Sequence, residues 1–232
     1  SKPSTDAFWS FSIADAISRI FASKDGLTDS EANNRIKQYG PNSLKDGSKT
    51  SGIRLLLSQF KSPITIMLVI AALLSAGLGD VTDTIIILVI VGISSLLGFW
   101  QERGAANAVA ELLKMVQLHC TVLRAGTKKE VPIEDVVPGD TICLSAGDII
   151  PGDSLILDSQ ELFVDEAAFT GETYPMEKHT AVLPADTPLA KRSNTLFMGS
   201  NVLSGKATAL VFRTGKETEF GKISANLQSK AP

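Results

Sequence analysis

Residues 63–78 read PITIMLVIAALLSAGL, and residues 84–100 read TIIILVIVGISSLLGFW; neither run contains a charged side chain. At about 1.5 Å per helical residue, the second run spans most of a ~30 Å hydrocarbon core, and the first does so only with its amphipathic lead-in from Leu55. Two such neighbouring runs predict a helical hairpin in a membrane. A buried hairpin of a soluble protein is the alternative, although adjacent uncharged runs of this length are rare in soluble folds.

Charged residues are distributed unequally around this hairpin. The short connection holds Asp80 and Asp83 but no basic residue, whereas the outer ends are flanked by Arg54, Lys61, Arg103 and Lys114. Because cytoplasmic segments are enriched in Lys and Arg, both termini are predicted to face the cytoplasm from a plasma or inner membrane. Trp100 suits an interfacial anchor at the cytoplasmic side. The two aspartates are interpreted as solvated loop residues rather than as a guide for cations.

The rest of the chain has the composition of folded sequence. The 232 residues are 44% apolar and 20% charged with a net charge of −3, and the mean hydropathy is +0.16. The absence of a basic run argues against nucleic acid as a partner. Cys120 and Cys143 have neither CxxC spacing nor a nearby histidine, which predicts two reduced, buried thiols and no metal site.

Two short helices are predicted before the hairpin. The first carries apolar residues at helical spacing: Ile13, Ala16, Ile17, Ile20 and Phe21. In the second, Thr28 and Glu31 form a capping box, Ala32 and Ile36 face inward, and Gly40-Pro41 ends the helix. By themselves these patterns fit any small helical subdomain.

The hydrophobic period changes along the second half of the chain. Helical spacing continues past Trp100, which predicts a rigid stalk. From Leu118 onward short strands are predicted at 120–123, 141–144, 154–157, 196–198, 201–203 and 208–212. Turns separate them at Ala125-Gly126, Pro138-Gly139-Asp140, Pro151-Gly152-Asp153 and Ser204-Gly205-Lys206. This pattern predicts a compact all-β domain of jelly-roll or barrel type, followed by a polar, helix-capable linker from Lys222.

One segment points to a family. Residues 165–178, DEAAFTGETYPMEK, resemble the signature loop of the P-type ATPase actuator domain. A Thr-Gly-Glu tripeptide alone fits a polar surface turn, but further segments match the same family in the same order: GLT at 26–28, YGPN at 39–42, VVPGD at 136–140, AGD at 146–148, IPGD at 150–153, MGSNV at 198–202 and SG at 204–205. The resemblance covers nearly the whole chain. It identifies the chain as the N-terminal region through the actuator domain of a P-type cation-transporting ATPase, an enzyme.

The resemblance implies a distorted jelly-roll actuator with a catalytic loop, Thr170-Gly171-Glu172. In this family the loop reaches an aspartyl phosphate, and Glu172 would orient and deprotonate the attacking water. Gly171 would allow the backbone to approach the phosphate, and Thr170 would fix the loop by hydrogen bonding. Thr173 replaces the serine usual at its position and keeps the hydroxyl. Rotation of the domain would pull on the stalk and so open or close the ion path.

The expected domains are an N-terminal helical segment (1–52), two transmembrane helices with a stalk (53–115), the actuator (116–220) and a linker toward a third transmembrane helix (221–232). The 232 residues contain no Asp-Lys-Thr-Gly-Thr phosphorylation motif and no nucleotide-binding region. The resemblance therefore implies that ATP and Mg²⁺ act in the complete pump, and that this part alone binds neither and is inactive. The implied partners are the lipid bilayer, the transported cation and the pump's phosphorylation and nucleotide-binding domains.

Within the family, four short segments look most like the magnesium-transporting class: FKSP at 60–63, GIS at 92–94, QE at 101–102 and LFMG at 196–199. The residues that select the ion lie on later helices of such pumps. An alternative to a pump component is a stand-alone, non-catalytic membrane module that binds or regulates a related pump.

Overall fold

Two units account for the described residues of the computed structural model, which are 6–23, 25–44, 61–114, 118–171 and 174–229. One unit comprises Ser1–Lys45 together with Leu118–Pro232, and the other comprises Asp46–Gln117. The first therefore brings the N-terminal segment to the β-rich half of the chain, across the whole apolar region.

Two helices form the N-terminal segment, α1 (Ile13–Arg19) and α2 (Asp29–Tyr39). The Thr28 hydroxyl accepts a hydrogen bond from the Glu31 amide, and the Glu31 carboxylate accepts one from the Thr28 amide, so the predicted capping box is confirmed. Helix α2 ends at Gly40, as predicted. In α1 the prediction is partly wrong. Ile20 is buried, but the helix stops at Arg19 and Phe21 turns outward at a φ of 52°, leaving its side chain 75% exposed.

The N-terminal segment packs on the β sheet through an apolar cluster. Its members are Phe8, Trp9, Ala16, Ile20, Leu155, Leu210 and Phe212. The rings of Phe8 and Phe212 stack with centroids 4.7 Å apart, and the Trp9 indole N–H donates to the Pro184 carbonyl. These contacts make the N-terminal helices part of the unit that carries the sheet.

The described part of the second unit contains two apolar helices, α3 (Pro63–Gly77) and α4 (Val81–Lys114), which pack against each other. Helix α4 continues unbroken past Trp100, so the predicted helical extension is confirmed. Asp80 begins it, because its carboxylate accepts a hydrogen bond from the Asp83 amide. Among the described residues only Val81–Ala105 is long and apolar enough to cross a membrane. The lead-in 53–60 lies outside the described residues, and the two-helix membrane hairpin stays a prediction.

The strands of the first unit form an antiparallel sheet. They are β1 (His119–Arg124), β2 (Thr127–Pro132), β3 (Thr141–Ser145), β4 (Asp153–Asp165), β5 (Met176–Lys178), β6 (Thr195–Leu196) and β7 (Asn201–Arg213). In the described part of the chain their order is β2-β1-β3-β7-β4-β5, with β6 also paired to β4. Residues such as Val122, Ile142, Ile156 and Ala209 are fully buried and form the core. The all-β character is confirmed, and the distorted jelly-roll arrangement stays a prediction.

One predicted turn is wrong. Ser204-Gly205-Lys206 lies inside the continuous strand β7, which joins the segments predicted as two strands. Gly205 has a φ of 80° and lies at an irregularity in the pairing with β4, where a Cβ would come within 2.2 Å of the Glu161 carbonyl oxygen. A β-bulge and a turn both use glycine at positive φ, so the local sequence does not distinguish them.

The remaining differences concern edges and ends. The exposed strand β2 and the short strand β5 were not predicted, and the strand predicted at 196–198 is Thr195–Leu196. A one-turn helix, α5 (Ala167–Thr170), follows β4. The segment from Lys222, predicted to be helix-capable, lies in helix α6 (Glu219–Ser229). Both cysteines are free; Cys120 is buried and Cys143 is half-buried. Burial raises the pKa of the Cys120 thiol to about 12.

Candidate functional site

The loop singled out from the sequence begins where β4 ends. The Asp165 carboxylate accepts a hydrogen bond from the Ala167 amide at 3.0 Å. The Glu166 carbonyl then accepts from the amides of Phe169 and Thr170, at 2.9 and 3.0 Å. It also accepts from the Thr170 hydroxyl at 3.1 Å. Helix α5 is therefore a single turn held by the Glu166 carbonyl, to which the Thr170 side chain also bonds.

Gly171 ends this turn. Its amide donates to the Ala167 carbonyl at 3.0 Å, and its φ of 72° lies in the left-handed region that favours glycine. A Cβ added there would meet no atom within 4 Å. The local conformation therefore accounts for glycine at this exposed position, without any crowding. Glu172 and Thr173 lie outside the described residues.

The chain returns through β5, which pairs antiparallel with β4. In this register Met176 lies opposite Val164, and Lys178 lies opposite Leu162. The segment between Asp165 and Met176 is thus anchored at both ends on the same long strand. Phe169 of α5 adds an apolar contact, with its ring centroid 5.6 Å from that of Phe197 and 6.1 Å from that of Phe220.

A buried ion pair lies at the base of the loop. The Lys178 ammonium is 2.7 Å from Oε1 of Glu166, and the side chains are 1% and 0% exposed. Lys178 also donates to the carbonyls of Arg192 and Thr195, at 2.9 and 3.0 Å. Neither carboxylate oxygen of Glu166 has a well-oriented hydrogen bond from the described residues. The Lys178 ammonium at 2.7 Å is thus the group that balances the Glu166 charge.

Burial acts on both members of the pair in opposite directions. It raises the pKa of Glu166, against the attraction of the Lys178 charge, and it lowers the pKa of Lys178, against the attraction of Glu166. Neither Glu166 nor Lys178 stands out in the sequence as a functional residue. The available signal was a lysine two positions after Met176 on a short strand, where alternation places both side chains on the same face.

A second buried carboxylate connects this region to the end of the described chain. Asp153 accepts hydrogen bonds from the amides of Met198 at 3.0 Å and Glu219 at 2.8 Å, and the latter begins α6. Burial raises the pKa of Asp153 to about 6, opposed by these two hydrogen bonds. The Asp153 charge in turn raises the pKa of Glu166. The base of the loop and the start of α6 therefore share one buried polar region.

Comparison with known proteins identifies two regions. Residues 114–228 match the P-type ATPase actuator domain, and residues 9–75 match the cation transporter/ATPase N-terminus. The first match contains the described sheet, α5 and most of α6. The second contains α1, α2 and most of α3.

Several curated relatives are similar along most of the chain. A calcium-transporting ATPase of Bacillus subtilis is 37% identical over 207 residues, which cover 89% of this chain and 23% of the relative. A probable cation-transporting ATPase F of Mycobacterium bovis is 38% identical over 85% of the chain and 22% of its own length. The calcium-transporting ATPase type 2C member 1 of Mus musculus is 36% identical, with 89% and 23% covered.

The chain thus spans less than a quarter of the length of these three relatives. Their names do not support the magnesium-transporting class that the short segments suggested. The two domain matches follow one another in the order the sequence predicted. They place the chain in the family of P-type cation-transporting ATPases, of which it comprises the N-terminal region and the actuator domain.

Proposed function

We propose that this chain serves an ATP-driven cation pump, in which Thr170-Gly171-Glu172 promotes hydrolysis of the aspartyl phosphate. The observation that supports this role is the geometry of α5, whose hydrogen-bonded turn ends in an exposed, left-handed Gly171 directly before Glu172. Phosphoryl transfer needs positioning and charge stabilisation more than covalent chemistry from the protein. A carboxylate next to a fixed turn suits the positioning and deprotonation of water.

We further propose that α3 and α4 form a transmembrane hairpin with both termini of the chain in the cytoplasm. The proposed domains are 1–52, 53–115, 116–220 and 221–232, as the sequence suggested. The uninterrupted helix α4, Val81–Lys114, supports a stiff connection between the apolar region and the residues that follow it. Movement of the actuator would act on the ion path through this helix.

The proposed cargo is a divalent cation. Two of the relatives described above are named calcium-transporting, so Ca²⁺ is the first ion to test and Mg²⁺ the second. Among the described residues there is no group of three or more His, Cys, Asp or Glu side chains suited to a metal ion. In the pumps that the chain resembles, ATP and the Mg²⁺ that accompanies it act in other domains, and the residues that select the cation lie on later helices, so we assign them there.

The experiment measures the lifetime of the phosphoenzyme in the pump formed when this chain is joined to its phosphorylation and nucleotide-binding domains. Glu172→Gln should leave phosphorylation by ATP intact and slow dephosphorylation at least about 100-fold, the lower range for loss of general acid–base catalysis. Glu177→Gln is the matched control, because Glu177 is an exposed carboxylate on the neighbouring strand β5.

A Glu172→Gln pump that dephosphorylates at the normal rate would contradict the assigned role. If the joined protein never forms a phosphoenzyme, the result favours the alternative, a non-catalytic membrane module. The control variant separates loss of this carboxylate from a general change of surface charge near the loop.

A further inference from the structure

The Glu166–Lys178 ion pair joins the two ends of the proposed catalytic loop beneath its helical turn. Glu166 contributes twice, since its carbonyl holds the turn of α5 and its carboxylate meets the Lys178 ammonium at 2.7 Å. Lys178 lies on the returning strand β5. The backbone ladder between β4 and β5 begins at Val164 and Met176. The ion pair is therefore a side-chain connection between the start of α5 and that ladder.

Lys178 also connects the loop to the body of the domain. Its ammonium donates to the carbonyls of Arg192 and Thr195, beside strand β6. The Glu166 carboxylate, 2.7 Å away, supplies the opposite charge. The same nitrogen lies 5.3 Å from the centre of the Phe197 ring, against which Phe169 of α5 packs. One cation thus fixes the loop's first residue, its returning strand and the surface on which its turn rests.

Stability alone is a poor explanation for such a pair. Removing two charges from water costs about as much as their attraction returns, and apolar replacements of similar volume are often neutral or stabilising. Removal of one partner, in contrast, leaves an uncompensated buried charge. An advantage that such a pair can offer is specificity of geometry, because an arrangement that separates Glu166 from Lys178 leaves two buried charges without compensation.

We propose that Glu166 and Lys178 act as positioning residues, forming a clamp that holds the turn 167–171 in the geometry required for dephosphorylation. This inference rests on the function proposed above for Thr170-Gly171-Glu172. The clamp has two separable consequences: order of the turn, which needs no catalysis, and the rate of phosphoenzyme decay, which does.

The experiment compares Glu166→Gln, Lys178→Met and the double variant that carries both changes. Amide hydrogen exchange is measured in the intact chain in detergent, at Phe169, Thr170 and Gly171, whose amides are bonded within the turn. The amides of the paired strands β3 and β7 report global unfolding. The double variant has no unpaired charge, so we expect its β3 and β7 amides to be better protected than those of either single variant. Its turn amides should still exchange at least about tenfold faster than in the unmodified chain.

Val122→Ala is the control for destabilisation alone, because Val122 is fully buried on β1. In this variant, the protection of the turn amides should fall no more than that of the β3 and β7 amides, which report global unfolding. In the joined pump, the phosphoenzyme of the double variant should decay at least about tenfold more slowly than that of this control. This corresponds to a difference of about 1.4 kcal/mol in activation free energy.

Two results would overturn the clamp: turn amides in the double variant that are as protected as in the unmodified chain, or phosphoenzyme decay in that variant that equals the control. A different combination identifies failure of the proposed function. If the turn amides exchange faster but Glu172→Gln dephosphorylates normally, the clamp orders the loop and the loop is not the catalytic element.

Discussion

Substitution of Asn42 should be among the most damaging single changes in the N-terminal segment. Its side chain is buried, and its amide nitrogen donates to the carbonyls of Ile133 at 3.0 Å and Pro151 at 2.7 Å. Its amide oxygen accepts from the Gly215 amide at 2.7 Å. One side chain therefore connects the segment after α2 to three separate parts of the sheet domain.

The expected magnitude follows from the groups that Asn42→Ala leaves behind. The Ile133 carbonyl keeps a hydrogen bond from the Val136 amide, so losing its hydrogen bond from Asn42 costs only about 1 kcal/mol. Pro151 and Gly215 are buried, and a buried polar group without its partner costs about 1–3 kcal/mol. We expect the free energy of unfolding to fall by about 3–7 kcal/mol when these three losses combine. This is a large part of the total stability of a domain, which is typically about 5–15 kcal/mol.

Urea unfolding of the chain in detergent measures this change. The fluorescence of Trp9, which is buried in the same unit, reports the unfolding of that unit. The exposed Trp100 is changed to Phe in the reference protein and in both variants, so that Trp9 alone gives the signal. With a urea dependence of about 2 kcal/mol per molar, the midpoint of unfolding should fall by about 1.5–3.5 M. Asn33→Ala makes the same chemical change at an exposed position in α2 and should alter stability by less than about 0.5 kcal/mol. Equal midpoints for the two variants would refute the reasoning.

Local signals explain which parts of the fold the sequence predicts well. The limits of α2 follow from Thr28, Glu31 and Gly40, all of which act within a few residues of the helix ends. Helix α4 follows from a long uncharged run and its continuation at helical spacing. Both depend on interactions between neighbours in the chain, which a sequence displays directly.

Non-local pairing explains what the sequence could not predict. Gly205 looks like a turn until β4 is placed beside it, because the Glu161 carbonyl is what excludes a side chain there. Thr170 and Gly171 were predicted as residues of the catalytic loop because the segment 165–178 resembles that of a known family. Glu166 and Lys178 were not assigned roles, because their pairing depends on the register of β4 with β5.

Two further predictions test the sheet and its buried charge. Gly205→Ala should lower the free energy of unfolding by at least about 2 kcal/mol more than Gly147→Ala in the same urea assay. Both residues have positive φ and share a conformational cost of about 1–2 kcal/mol, but only the Cβ at Gly205 would meet backbone, whereas Gly147 has open space around it. A difference smaller than this between the two variants would exclude the close approach of the strands as the cause. Asp153 has a pKa raised by burial from 3.8 to about 6, so between these values the native state retains a proton that the unfolded state has released, and its contribution to stability falls as pH rises from about 4 to about 6. The stability lost over this pH range is at most about 3 kcal/mol, and Asp153→Asn should remove this loss from the pH profile of the free energy of unfolding. Parallel profiles for the two proteins would show that the Asp153 carboxyl stays ionised over that range. Its two backbone hydrogen bonds would then outweigh the cost of its desolvation.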